Sequence, residues 1–169
     1  MSVNTSRQQA RRASGQLFLL FSMGSDRYAL DVQDVLEVLP LRRLKQIPEA
    51  PAWVAGLFSR HGQPVPVIDL HALAFGRPAS ARTSTRLVLV DYLGQTLGLI
   101  LEQATDTLRC PVEAFRASGL DSSGTAAYLG PVYEHASGLV QRIGVAELLP
   151  PAVRSLLFPL TAAEPEPGA

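Results

Sequence analysis

His61, His71 and His135 are the side chains on which metal or acid–base chemistry would rest, and their spacing supports neither. They form no H-x-x-x-H or H-E-x-x-H pair, and a single cysteine, Cys110, leaves no Cys/His ligand set. His61 and His135 fall in corresponding hairpins 74 residues apart (135 − 61), which reads as shared turn composition rather than as a ligand pair. Arg109 beside Cys110 would favour a thiolate. The plainer reading is taken: a small residue at a strand end, just before Pro111. Asp69 directly precedes the apolar run Leu70, Leu73, Ala74 and reads as a helix N-cap, not a catalytic carboxylate. Gly-x-Ser-x-Gly elbows, Walker-type loops and dinucleotide glycine fingerprints are missing from the sequence. The expectation is a protein without catalytic, cofactor or metal residues.

The elements that carry these residues centre on Gly56 to Leu73. That stretch reads as two short strands joined by a tight turn at His61-Gly62-Gln63, with a helix starting after Asp69. Gly62 supplies the positive φ that such a turn demands. Pro64 and Pro66 lack N–H donors and lie two apart, so the returning strand is expected at a sheet edge or bulged. A proline-stiffened edge of this kind suits contact with another protein.

Further upstream, Leu17 to Ser22 is an almost unbroken apolar strand. After the turn Gly24-Ser25-Asp26, Arg27 to Val32 alternates. Val32 to Pro40 reads as a helical turn running into a strand, and Leu41 to Ala52 as a loop carrying Arg42, Arg43 and Lys45. The pattern then recurs. Leu87–Val90, a turn at Leu93-Gly94-Gln95 and Leu97–Glu102 repeat the first hairpin, and Gly130 to Leu148 repeats Gly56 to Leu73. Ile68 matches Ile143 and Leu73 matches Leu148, both at an offset of 75, whereas Gly56 matches Gly130 at 74. The second hairpin turn is therefore expected to be one residue longer. Two such copies imply two small barrels, residues 17–78 and 82–158, packed into one domain, 17–158.

Composition agrees. With 47% apolar and 18% charged residues the chain is globular, and 169 residues bury roughly 70% of the unfolded surface in one compact unit. Fifteen basic and fifteen acidic residues cancel, against the basic excess of a nucleic-acid binder. Residues 1–16 and 159–169 read as a disordered arm and a disordered, acidic, proline-rich tail. The apolar run after Arg11-Arg12 is too short for an export signal, and no stretch approaches the ~18 apolar residues of a membrane span. A soluble, cytoplasmic protein is expected.

The stretch Ala55-Gly56-Leu57-Phe58-Ser59-Arg60-His61-Gly62-Gln63-Pro64-Val65-Pro66-Val67-Ile68-Asp69-Leu70 resembles the signature of the CheW family, the adaptors of bacterial chemosensory arrays. Phe18–Phe21, Arg27–Val32, Val35, Glu37-Val38 and Ile47–Pro51 fit as well, so the likeness covers residues 17 to 158. It implies two five-stranded, SH3-like β-barrels sharing a core, with short helices. It also implies a non-enzymatic adaptor between the cytoplasmic tip of chemoreceptors and a CheA-like histidine kinase, recruited to receptor arrays at the inner membrane. Carried over residue by residue, the partner-binding positions are Glu37, Gly56, Arg60, His61 and Gly62. Glu37, between Leu36 and Val38, is expected to point away from the core; Gly56 serves either a partner's close approach or packing. One position departs from the pattern: His61 stands where the family has Arg, with Arg60 one place earlier. Two other readings stay open, a scaffold of a non-flagellar pathway (surface sensing or pilus control) and a stand-alone SH3-like binding module.

Overall fold

Strand alternation governs where the core forms. The structure, a computed structural model, describes residues 15–120 and 126–159. Its strands are β1 (Gln16–Met23), β2 (Asp26–Asp31), β3 (Val35–Pro40), β4 (Val54–Arg60), β5 (Gln63–Asp69), β6 (Arg86–Tyr92), β7 (Gln95–Cys110), β8 (Leu129–His135) and β9 (Gly138–Ile143). Helices α1 (Leu70–Phe75) and α2 (Pro151–Leu157) follow β5 and β9. The expected arm and tail lie outside the described residues, apart from their inner ends. Gln16 already belongs to β1, so the first strand begins one residue earlier than expected.

The nine strands make two five-stranded barrels because β7 serves both. Barrel A is β1, β2, β9, β8 and the second half of β7; barrel B is β3, β6, the first half of β7, β5 and β4. The backbone of β7 turns at Gln103, which has φ 50°. Each barrel therefore draws strands from both halves of the sequence. The repeat follows the halves 17–78 and 82–158, but neither half is a barrel, because β1 and β2 pair with β7 and β9 while β3 pairs with β6.

The registers obey the repeat. Leu19 opposes Thr107, and 69 residues along each partner Val88 opposes Val38 (88 − 19 and 107 − 38). The parallel seam β2–β9 corresponds to the parallel seam β7–β5. The two later hairpins correspond at a constant offset of 75: Val54 pairs Ile68 and Leu129 pairs Ile143, while Arg60 pairs Gln63 and His135 pairs Gly138. Both turns are thus two residues long, and the expected longer second turn is not formed. Gly130 corresponds to Ala55, not to Gly56; the one-residue slip between the glycines reflects where each bulged strand needs a missing Cβ.

β1 is apolar on both faces because both are covered. Phe18 and Leu20 fill barrel A with Ala29, Cys110, Phe115 and Val140, while Leu19, Phe21 and Met23 enter a core common to both barrels. In the second copy Leu87 and Leu89 fill barrel B, and Val88 and Val90 join the common core. The alternation expected for β2 has the same outcome, with Tyr28 and Leu30 on one side and Ala29 buried on the other. Helix α2, with Pro at its first position, packs Val153 on the common core.

β5 is not an edge. It pairs with β4 throughout and with β7 from Val67 onward. Pro64 and Pro66 precede that second pairing, so their missing N–H groups fall where β5 has one neighbour. The bulge is on β4, between Val54 and Gly56.

Candidate functional site

The two-residue turn between β4 and β5 places His61 and Gly62 at φ 50° and 77°, the left-handed pair that matches the twist of a hairpin. Both are exposed, and a Cβ built on Gly62 would meet nothing within 4 Å. Arg60 ends β4 and points toward β3, where its Nε lies 2.9 Å from Glu37 Oε2, off the line of a well-formed hydrogen bond. Glu37, Arg60, His61 and Gly62 therefore come together at one end of barrel B.

Gly56 stays apart from them. It is buried at φ 144°, and a Cβ there would lie 2.4 Å from the carbonyl oxygen of Lys45. Lys45 and Leu57 exchange backbone hydrogen bonds of 2.8 and 2.7 Å. The close approach that requires glycine comes from the chain's own loop, which makes Gly56 a packing residue.

Glu37 also sits differently from the expectation. A bulge between Val35 and Glu37 sets the phase of β3: Val35, opposite Val90, packs on the common core, whereas Glu37 and Leu39, opposite Leu89 and Leu87, lie on the barrel B side. Leu36 and Val38, 47% and 45% exposed, face solvent on a strand that pairs with β6 alone. Apolar residues with this exposure on an edge strand were missed by the sequence reading, because the apolar residues of a strand were assigned to its inside.

The remaining chemistry-bearing residues have structural partners. Asp69 Oδ1 accepts from Ala72 N at 3.1 Å, capping α1, and Oδ2 accepts from Ala79 N at 2.8 Å, fixing the crossing between the repeats. His71 Nδ1 lies 2.6 Å from the Arg77 carbonyl oxygen, and His135 Nδ1 3.0 Å from Ser137 Oγ. Cys110 is buried, and burial pushes its thiol pKa up, partly opposed by Arg142. Arg109, beside it in sequence, donates to the Gly15 carbonyl at 3.2 Å. Among the described residues no group of three or more His, Cys, Asp or Glu converges on a point, and no helix is long and apolar enough to cross a membrane.

A second surface feature is a groove of about 610 Å³ beside the start of β1, walled by Leu17, Val32, Gln33, Arg109 and Val112. Its elements are adjacent because β1 pairs with the end of β7 and the 3₁₀ turn after β2 folds over them.

The family model for the CheW-like domain matches residues 17–150. The chain belongs to the CheW-like family. The CheW-like match spans the strands of both barrels and stops just before α2. Among curated relatives, the chain is 30% identical to the protein FrzA of Myxococcus xanthus over 138 residues, 79% of each chain. It is 26% identical to the chemotaxis protein CheW of Klebsiella aerogenes over 102 residues, 60% of this chain and 61% of that one. The crystal structure of the scaffolding protein TtCheW from Thermoanaerobacter tengcongensis superposes with a TM-score of 0.71 at 24% identity, covering 80% of this chain and 88% of that one. That likeness establishes the fold expected from the sequence, two SH3-like barrels. Three of the CheW proteins it matches are aligned over only 51–61% of their length.

Proposed function

We propose that this chain is a non-enzymatic adaptor that couples the cytoplasmic tips of chemoreceptors to a CheA-type histidine kinase, working in the cytoplasm at receptor arrays on the inner membrane. The observation that carries this reading is the surface of barrel B, where an apolar edge strand lies beside the tip of a stiff hairpin. Leu36 and Val38 are exposed together on β3, and the Glu37–Arg60 ion pair ties that strand to β4. An edge strand with exposed aliphatic side chains suits packing against another β-barrel, such as a regulatory domain of the kinase. In this reading a receptor helix lies in the groove beside Leu17 and Val32, and the exposed His61-Gly62 turn is a second, separate contact.

The test is reconstitution. Receptor signalling tips, kinase and this chain are combined, and kinase autophosphorylation is followed with and without the chain. The reading requires that the chain co-purify in a ternary complex and change the autophosphorylation rate. His61→Arg adds a permanently charged, forked donor at the tip and is expected to strengthen receptor binding, with kinase binding unchanged. Equal receptor affinity for wild type, His61→Arg and His61→Ala removes the tip from the contact.

A further inference from the structure

The internal repeat relates two grooves, one at the mouth of each barrel. The barrel B groove, about 400 Å³, is walled by Arg60, His61, Val65, Thr96 and Phe158. The barrel A groove, about 460 Å³, is walled by Leu20, Arg27, Asp106, His135, Ser137 and Val140. Arg27 corresponds to Thr96 and Asp106 to Glu37 at the offset of 69, and His135 corresponds to Arg60 and Val140 to Val65 at 75.

The same latch position is therefore filled in two ways. In barrel B the cation comes from the hairpin and the acid is a glutamate, and they meet at 2.9 Å. In barrel A the cation comes from β2 and the acid is an aspartate, one methylene shorter. Arg27 Nη2 stops 3.6 Å from Asp106 Oδ2, beyond hydrogen-bonding range. Nε and Nη2 of Arg27 are both buried and have no acceptor among the described residues. Those two nitrogens form the side-on edge of the guanidinium, the edge that takes both oxygens of one carboxylate.

We propose that the barrel A groove binds a glutamate or aspartate side chain presented by a partner protein, an interaction independent of the coupling role above. The Arg27 side chain is 33% exposed, so turning its outer torsions carries the fork to the groove. Asp106, 67% exposed, gives way into solvent. Leu20 and Val140 line the groove and pack the methylenes of the incoming residue. A docked protein presents such a carboxylate already oriented and holds it more tightly than a short peptide does, for which saturation is expected only at about millimolar concentration.

The experiment uses the full chain and three probes: the peptide acetyl-Ala-Glu-Ala-amide, its Gln counterpart, and inorganic phosphate. Backbone amide shifts of Thr105, Thr107 and Ser137 report binding. The Glu peptide is expected to give saturable shifts, with the Gln peptide about tenfold or more weaker. Arg27→Gln is expected to abolish the difference between the two peptides. Asp106→Glu, which supplies the missing methylene and closes the latch from within, is expected to weaken the Glu peptide while the fold is kept. No saturable shift, equal shifts from both peptides, discrimination that survives Arg27→Gln, or tighter binding of phosphate than of the Glu peptide each overturns the proposal.

Discussion

Asp31 ends β2, and three donors converge on its buried carboxylate. Gln16 Nε2 and Arg142 Nη2 donate to Oδ2 at 2.5 and 3.1 Å, and the Gln33 amide donates to Oδ1 at 2.9 Å. Arg142 also lies 5.4 Å above the Phe18 ring. Asp31→Ala leaves these donors without an acceptor, and is expected to cost about 3 kcal/mol, or ~6–12 °C in thermal midpoint by calorimetry. Its neighbour Asp34 has the opposite character. Burial raises its pKa above 3.8, Asp31 adds to the rise and Arg142 opposes it. A folded pKa above the unfolded one means that the charge at neutral pH works against the fold. That cost appears as the pH rises through the folded pKa. Asp34→Asn is therefore expected to raise the midpoint at pH 7, with the gain shrinking as the pH falls and gone below about 4. An Asn variant that is less stable at pH 7 contradicts this. At this scale the sequence was legible where chemistry is local. Asp69 as a cap and Gly62 as a turn residue need only their chain neighbours. Gly56, Asp31 and Arg27 owe their environments to Lys45, Arg142 and Asp106, residues fixed only by the fold.

Among the elements, β3 separates what a pattern can tell from what it cannot. Its apolar residues identified a helical turn running into a strand within Val32 to Pro40, yet the bulge after Val35 set which residues face in. Leu36 and Val38 thereby became surface and Glu37 became half-buried. If β3 is the kinase-facing edge, Leu36→Asp and Val38→Asp together should abolish capture of the kinase and leave the thermal midpoint within about 2 °C of wild type, since neither residue fills a core. Loss of folding instead, seen as a collapsed amide spectrum, would put those side chains in the packing. β7 was legible only in its first half, Leu97–Glu102. Its continuation to Cys110 corresponds by the repeat to β3, joined without a break, and residues such as Thr105, Asp106 and Thr107 give little apolar signal on the way. Helix α2 was unread although Pro151 at its first position and Val153 were there to be used.

The whole molecule is held by pairings that cross the midpoint of the chain. The common core takes Phe21, Leu30 and Ile68 from the first repeat and Val88, Leu99 and Ile143 from the second. We propose that residues 17–158 unfold as one unit, because neither barrel can lose its strands without opening the other. The repeat, the all-β class and the two-barrel outcome were readable, since they rest on composition and periodicity. Which strand pairs with which was not, because an offset of 69 or 75 is equally consistent with barrels built within a repeat or between repeats. The observed exchange, β1–β2 of one copy completed by three strands of the other, has the form of a domain-swapped dimer whose subunits have been joined end to end through Gly76–Ala81. The covalent link then supplies local concentration more than structure. Residues 15–80 and 82–159 produced separately are expected to aggregate or stay unfolded, whereas co-expressed they should reassemble into a heterodimer with the native spectrum. Two halves that fold alone would show the exchange to be unnecessary. Reassembly would mark this protein as an obligate dimer that happens to be written on one chain.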